Sequence, residues 1–89
     1  MIHKNIHISG RVQGVGFRFS ARNAARQYGI KGYVKNMSDG SVYIEAEGNE
    51  QHVEQFVEWC KRGPSHAYVE DITVNDDNVK GFSVFDIDF

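Results

Sequence analysis

The sequence has a single cysteine, a single proline and no long run of apolar residues. With Cys60 alone, no disulfide can form within the chain. No apolar stretch approaches the roughly 20 residues of a membrane-spanning helix. The opening residues MIHKNIHISG lack the basic segment and the apolar core of a signal peptide. These absences predict a cytoplasmic protein, and the length of 89 residues predicts one domain, residues 1–89.

Acidic residues are absent from the first 38 positions, although the whole chain carries a net charge of −2. All twelve Asp and Glu residues fall from Asp39 onward. The basic residues of the acid-free part are Lys4, Arg11, Arg18, Arg22, Arg26, Lys31 and Lys35. This asymmetry indicates that the first half binds an anion, either a small substrate or a nucleic acid. The alternative is that these charges only solvate the surfaces of helices and strands.

The spacing of apolar residues predicts the element order β-α-β-β-α-β with a short extra strand at the end. The predicted strands cover residues 3–12, 30–37, 41–47, 68–74 and 82–87, with a hairpin turn at Asp39-Gly40 and another turn over 75–78. One predicted helix begins at Phe17 or Arg18 and ends at Gly29. The other is capped by Asn49 and ends at Gly63. This order predicts an α+β fold, the ferredoxin-like α/β sandwich, with an antiparallel sheet and two helices on one face.

The predicted topology brings two distant segments together. A right-handed crossover makes the first two strands parallel, with the third strand inserted between them. The carboxyl ends of these two strands then lie at the same edge of the sheet. We therefore expect the loop over 13–17 to lie beside Asn36.

The segment GRVQGVGFR predicts a phosphate site. Gly14 and Gly16 allow the backbone to turn successive N–H groups inward, which makes a nest for an anion. The positive end of the following helix points at the same place. Arg18, in the first helical turn, can offer a planar fork of donors to two phosphate oxygens. The simpler interpretation is a tight strand-to-helix turn that uses glycine for steric reasons only.

Two better-known phosphate motifs do not match this loop. The Walker motif needs Gly-Lys-Ser/Thr after a gap of four residues, and no such segment follows the first glycine. The dinucleotide motif needs a third glycine at the position of Phe19 and a longer parallel sheet.

With Asn36 included, the chain closely resembles the acylphosphatase family. The first signature is GRVQGVGFR, and the second is GYVKN, residues 32–36, which continues through Gly40, Val42 and Gly48. The resemblance covers essentially the whole chain. It implies hydrolysis of the carboxyl–phosphate bond of acyl phosphates without a metal, a cofactor or a phosphoenzyme. Neither signature contains Asp, Glu or Cys, which agrees with that chemistry.

The resemblance also implies roles for individual residues. Arg18 and Asn36 are the implied catalytic residues: Arg18 binds the phosphoryl group, and Asn36 positions the attacking water. The implied phosphate-binding residues are Gln13, Gly14, Val15, Gly16, Phe17 and Arg18. The chain departs from many members at Ala21 and Met37, where those members carry threonine. These two positions bear on how the loop and the water are supported.

Several other readings of the sequence are open. An RNA-binding module could use Tyr33 and Tyr43 to stack bases, but the RNP1 pattern is absent, so we expect no nucleic-acid partner. A regulatory anion-binding domain without turnover is a third possibility. We expect a monomer with a small acyl phosphate as its partner. His3 and His7 are expected at the surface, with no metal site.

Overall fold

The computed structural model describes the whole chain, Met1 to Phe89. Its elements are β1 (Ile2–Arg11), α1 (Phe17–Gln27), β2 (Lys31–Asn36), β3 (Val42–Gly48), α2 (Glu50–Arg62), β4 (Tyr68–Asp77) and β5 (Phe85–Asp88). The five strands form one sheet in the order β4-β1-β3-β2-β5. The predicted α+β fold is confirmed, and β3 lies between β1 and β2 as the crossover argument requires.

The second half differs from prediction in two places. β4 continues through the expected turn at 75–78 as far as Asp77, because its backbone pairs with the start of β1 up to His3. The last strand begins at Phe85 rather than Phe82, and it pairs with β2 in parallel. The sheet, predicted to be antiparallel, is therefore mixed: β4, β1, β3 and β2 pair in antiparallel, and β5 pairs with β2 in parallel.

One apolar core lies between the helices and one face of the sheet. The strand register aligns Ile6 with Ile44 and Ile44 with Val34, and all three are fully buried. The helices contribute their own buried stripes, which are Phe17, Ala21, Ala24 and Ala25 from α1 and Val53, Phe56 and Cys60 from α2. The side chain of Asn49 caps α2 by accepting a hydrogen bond from the Gln51 amide. Neither helix is long and apolar enough to cross a membrane.

The face of the sheet away from the helices carries a buried polar cluster that the sequence did not predict. His3, expected at the surface, is only 1% exposed. Its Nδ1 lies 2.7 Å from Glu47 Oε2 and its Nε2 lies 2.9 Å from Glu45 Oε1. The prediction was wrong because residues 78–84 connect opposite edges of the sheet and pass over this face. The amides of Lys80 and Phe82 in that connection both donate to Glu47.

Both glutamates of this cluster have a pKa below the usual range. Burial alone would raise each pKa. For Glu45, hydrogen bonds from Tyr33, His3 and Tyr43 stabilise the carboxylate by more than burial destabilises it. For Glu47, the amides of Lys80 and Phe82 and the ring of His3 have the same effect. Ligand atoms of His3, Glu45 and Asp77 lie within 4.8 Å of one another, a spacing that a metal could use. The Lys80 ammonium already lies 3.4 Å from Glu45 Oε1 and 3.0 Å from Asp77 Oδ2, so it supplies positive charge there.

Candidate active site

The loop between β1 and α1 has the backbone that its glycines predict. Gly14 and Gly16 both have a φ of 75°, and a Cβ at either position would meet nothing within 4 Å. Gly16 is the N-cap of α1 and has no side chain to accept from the first-turn amides, and no acidic residue lies in that turn. The amides at this helix end are thus available to an external anion.

The other apolar loop residues act through packing or backbone. Phe17 is only 2% exposed and its ring lies 5.5 Å from that of Trp59, so only its amide can face an anion. Val15 is partly buried against the core. Ala21, one turn further along α1, is completely buried, so this position supplies a packing surface and no hydroxyl to the loop.

The Arg18 side chain makes no hydrogen bond or ion pair with another protein group. Its guanidinium carbon lies 5.0 Å from the centroid of the Phe89 ring. Stacking on a ring uses the face of the guanidinium and leaves its N–H edge free to bind an oxyanion. The arginine at the mouth of the loop is therefore held by an aromatic ring rather than neutralised by a carboxylate.

Asn36 is the last residue of β2, beside the same loop. Its Oδ1 atom is buried and has no hydrogen-bond partner in the protein. An unpartnered buried acceptor typically costs about 1–3 kcal/mol, so proteins rarely keep one without a reason. A local violation of this kind is typical of functional sites.

A link between the loop and the β2–β3 turn was missed in the sequence. The Nε2 atom of Gln13 donates to the carbonyl oxygens of Met37 and Ser41, both at 2.8 Å. This places the loop over 13–17 and the segment just after Asn36 in one hydrogen-bonded unit. The available signal was a long amide side chain in a loop otherwise made of glycine and apolar residues. Because Nε2 is engaged with the turn, any direct contact of Gln13 with phosphate has to come from another of its atoms.

The β2–β3 turn is closed by its own bonds. The Met37 amide donates to Ser41 O at 2.8 Å, and Asp39 Oδ1 accepts from both the amide and the hydroxyl of Ser41. These bonds lower the pKa of Asp39. Asp39 is the acid closest to Asn36 in sequence, and its carboxylate is used to close the turn.

The fold and the site define a small α+β protein with a glycine-containing loop at the uncapped start of α1 and an arginine without an acidic partner. The acylphosphatase family model matches residues 4–87. An acylphosphatase of Archaeoglobus fulgidus is 45% identical over 87 residues, 98% of both chains. The crystal structure of acylphosphatase from Bacillus subtilis is 40% identical and superposes with a TM-score of 0.97 over the whole of both chains. The chain belongs to the acylphosphatase family.

A larger protein contains a similar domain. Full-length HypF in its phosphate- and nucleotide-bound form matches 99% of this chain with a TM-score of 0.89 and 36% identity, although the match is only 12% of that protein. Family membership confirms the predicted class of enzyme, a hydrolase that acts on acyl phosphates. The roles of individual loop residues stay predictions.

Proposed function

We propose that this acylphosphatase works by direct attack of water on the phosphorus atom, with Arg18 and the 13–18 loop holding the phosphoryl group and Asn36 orienting the water. The observation that carries the proposal is the buried, unpartnered Oδ1 of Asn36. Gln13 ties the turn that follows Asn36 to the phosphate loop, which supports a shared role for the two segments.

The phosphoryl group is held by charge and by backbone donors. Loop amides and the end of α1 surround its oxygens, and the N–H edge of Arg18 adds two charge-assisted bonds. As negative charge redistributes in the transition state, these fixed donors stabilise it without reorganising. This arrangement supplies the positive charge from protein groups, so we propose that no metal takes part.

Water attack needs positioning more than it needs a strong base. The side-chain amide of Asn36 hydrogen-bonds the water and holds it so that a lone pair of the water oxygen faces the phosphorus atom. The new P–O bond forms as the bond to the acyl oxygen breaks, and the electron pair leaves on the carboxylate. The water proton passes to a phosphoryl oxygen of the substrate. A carboxylate is a good leaving group, so no acid from the protein is required.

The experiment is hydrolysis of benzoyl phosphate followed by ultraviolet absorbance, with EDTA present. Arg18→Ala should abolish turnover and weaken competitive inhibition by inorganic phosphate. Asn36→Ala should lower kcat by roughly a hundredfold or more, while the inhibition constant of phosphate stays near that of the parent. Asn23→Ala, an exposed position on α1, is the matched control. Parent-like turnover in Asn36→Ala would contradict the water-positioning role, and loss of parent activity in EDTA would contradict the metal-free mechanism.

We also propose that the partner is a small acyl phosphate and not a nucleic acid. The hydroxyls of Tyr33 and Tyr43 both donate to Glu45, and the Phe82 ring lies 5.8 Å from that of Tyr33. Rings that are bonded and covered in this way are poor platforms for bases. Tight binding to single-stranded RNA that weakens steeply with salt would contradict the proposal that the protein binds no nucleic acid. We propose further that the protein is a monomer, which light scattering tests. We propose that it is located in the cytoplasm, which cell fractionation tests.

A further inference from the structure

We propose that Phe19 and Phe89 form an aromatic shelf beside Arg18 that binds the acyl group of the substrate, so that the enzyme favours acyl phosphates with an aromatic acyl group over acetyl phosphate. This inference rests on the proposed function, because it assumes that the phosphoryl group is held at Arg18. It concerns the acyl group of the substrate, whereas the proposed function concerns the phosphoryl group.

The two rings are unusual in their exposure. Of the six phenylalanines, three are buried in the core, and Phe82 packs over His3 and Tyr33. Phe19 and Phe89 are 50% and 88% exposed, and their ring centroids lie 6.5 Å apart. That separation is within the range of an aromatic pair. Exposed apolar groups that form a contiguous patch, unlike single exposed residues, often mark a ligand-binding surface.

An arginine guanidinium group lies over each ring of the shelf. The guanidinium carbon of Arg18 lies 5.0 Å from the Phe89 ring centroid, and that of Arg22 lies 5.4 Å from the Phe19 ring centroid. Arg22 forms no ion pair or hydrogen bond, and its Nε is buried without a partner. Each ring is thus fixed by a cation on one side. An aromatic surface and an anion site lie directly next to each other, which matches the two ends of an aromatic acyl phosphate.

The fold places the shelf at the border of the active site. Phe19 follows Arg18 in the first turn of α1. Phe89 follows Asp88, which pairs with Lys35, the residue before Asn36. The shelf therefore contacts Arg18 and lies at the end of β2 that carries Asn36. With the phosphoryl group in the nest, the acyl group extends out of the loop, and the rings beside Arg18 are an exposed apolar surface along which it can lie.

The test compares kcat/KM for benzoyl phosphate and acetyl phosphate in the parent, Phe19→Ser and Phe89→Ser. The ratio of kcat/KM for benzoyl phosphate to kcat/KM for acetyl phosphate should fall about threefold to tenfold in each variant, because one aromatic contact contributes a factor of that size. Val84→Ala is the matched control, because it removes an exposed apolar side chain near Gly32, at the other end of β2. Its ratio should equal that of the parent.

A binding measurement makes the result independent of turnover. Benzylphosphonate should inhibit the parent more strongly than methylphosphonate, and this preference should shrink in Phe19→Ser. Equal losses for both substrates and both phosphonates would overturn the shelf, because the rings would then act only by holding the arginines. A parent that hydrolyses neither substrate but prefers benzylphosphonate would contradict the proposed function and leave the shelf supported.

Discussion

Replacing Gln13 by methionine tests whether the loop over 13–17 and the segment that follows Asn36 work as one unit. The change keeps the length of the side chain and removes both hydrogen bonds to the carbonyl oxygens of Met37 and Ser41. Neither oxygen is left orphaned, because Met37 O also accepts from the Gly40 amide and Ser41 O from the Met37 amide. The loss is therefore the net value of two neutral bonds, about 2 kcal/mol in total.

That energy sets the size of two measurable effects. In a domain of this length, about 2 kcal/mol lowers the Tm by roughly 10 °C. If the whole loss were felt in the transition state, kcat would fall about thirtyfold, since each 1.36 kcal/mol is a factor of ten. We expect kcat for benzoyl phosphate to fall by up to this factor. The inhibition constant of inorganic phosphate should change much less, because the backbone nest and Arg18 are untouched.

The assay includes a matched control variant and a double-mutant cycle. Gln55→Met changes the same side chain at an exposed position on α2, and it should leave kcat as in the parent. Combining Gln13→Met with Asn36→Ala should lower kcat by less than the product of the two single effects, because Gln13 holds the segment that follows Asn36 and changes at coupled sites are not additive. Unchanged kcat and Tm in Gln13→Met would refute the link. An inhibition constant that rises as much as kcat falls would show that the side chain of Gln13 binds phosphate directly.

The remaining predictions concern stability. Gly16→Ala should cost about 1–2 kcal/mol, because only the left-handed conformation and not space opposes a side chain there, and urea denaturation measures it. Glu45 and Glu47 have lowered pKa values, so the folded state binds fewer protons than the unfolded state as the pH falls toward the ordinary value of 4.5. Their stabilisation is present above that pH and is lost as the pH falls through the folded-state values. The Tm difference between the parent and Glu47→Gln should therefore shrink from pH 6 to pH 3, and a constant difference would contradict the reasoning.

The parts of the fold that sequence reasoning found are those with local signals. The alternation of Ile6 and Ile8 and the Ala21-Ala24-Ala25 spacing each identify an element from a few neighbouring residues. The position of Asn36 beside the loop also followed, because a right-handed crossover leaves only one placement for β2. Local pattern and one topological rule were sufficient for the elements that surround the candidate site.

The parts that sequence reasoning missed depend on pairs far apart in the chain. His3 was expected at the surface because no carboxylate lies near it in sequence, yet its partners Glu45 and Glu47 are 42 and 44 residues away. Their approach requires both the β1–β3 register and the connection that passes over them. The turn expected over 75–78 failed for a related reason: Asn and Asp favour turns, but pairing with β1 keeps the segment extended through Asp77.

The uneven charge of the sequence is explained by which basic residues find partners. Lys4 forms an ion pair with Asp76, and Arg26 lies 3.9 Å from Asp86, so acids of the second half neutralise part of the basic first half. Arg18 and Arg22 lie four residues apart on one helix without an acid, and both are stacked on aromatic rings. Two like charges at this spacing repel each other, and an anion bound between the loop and Arg18 would relieve that cost. The two unneutralised arginines therefore favour an anion at the start of α1, where the free N–H groups of the helix also favour negative charge.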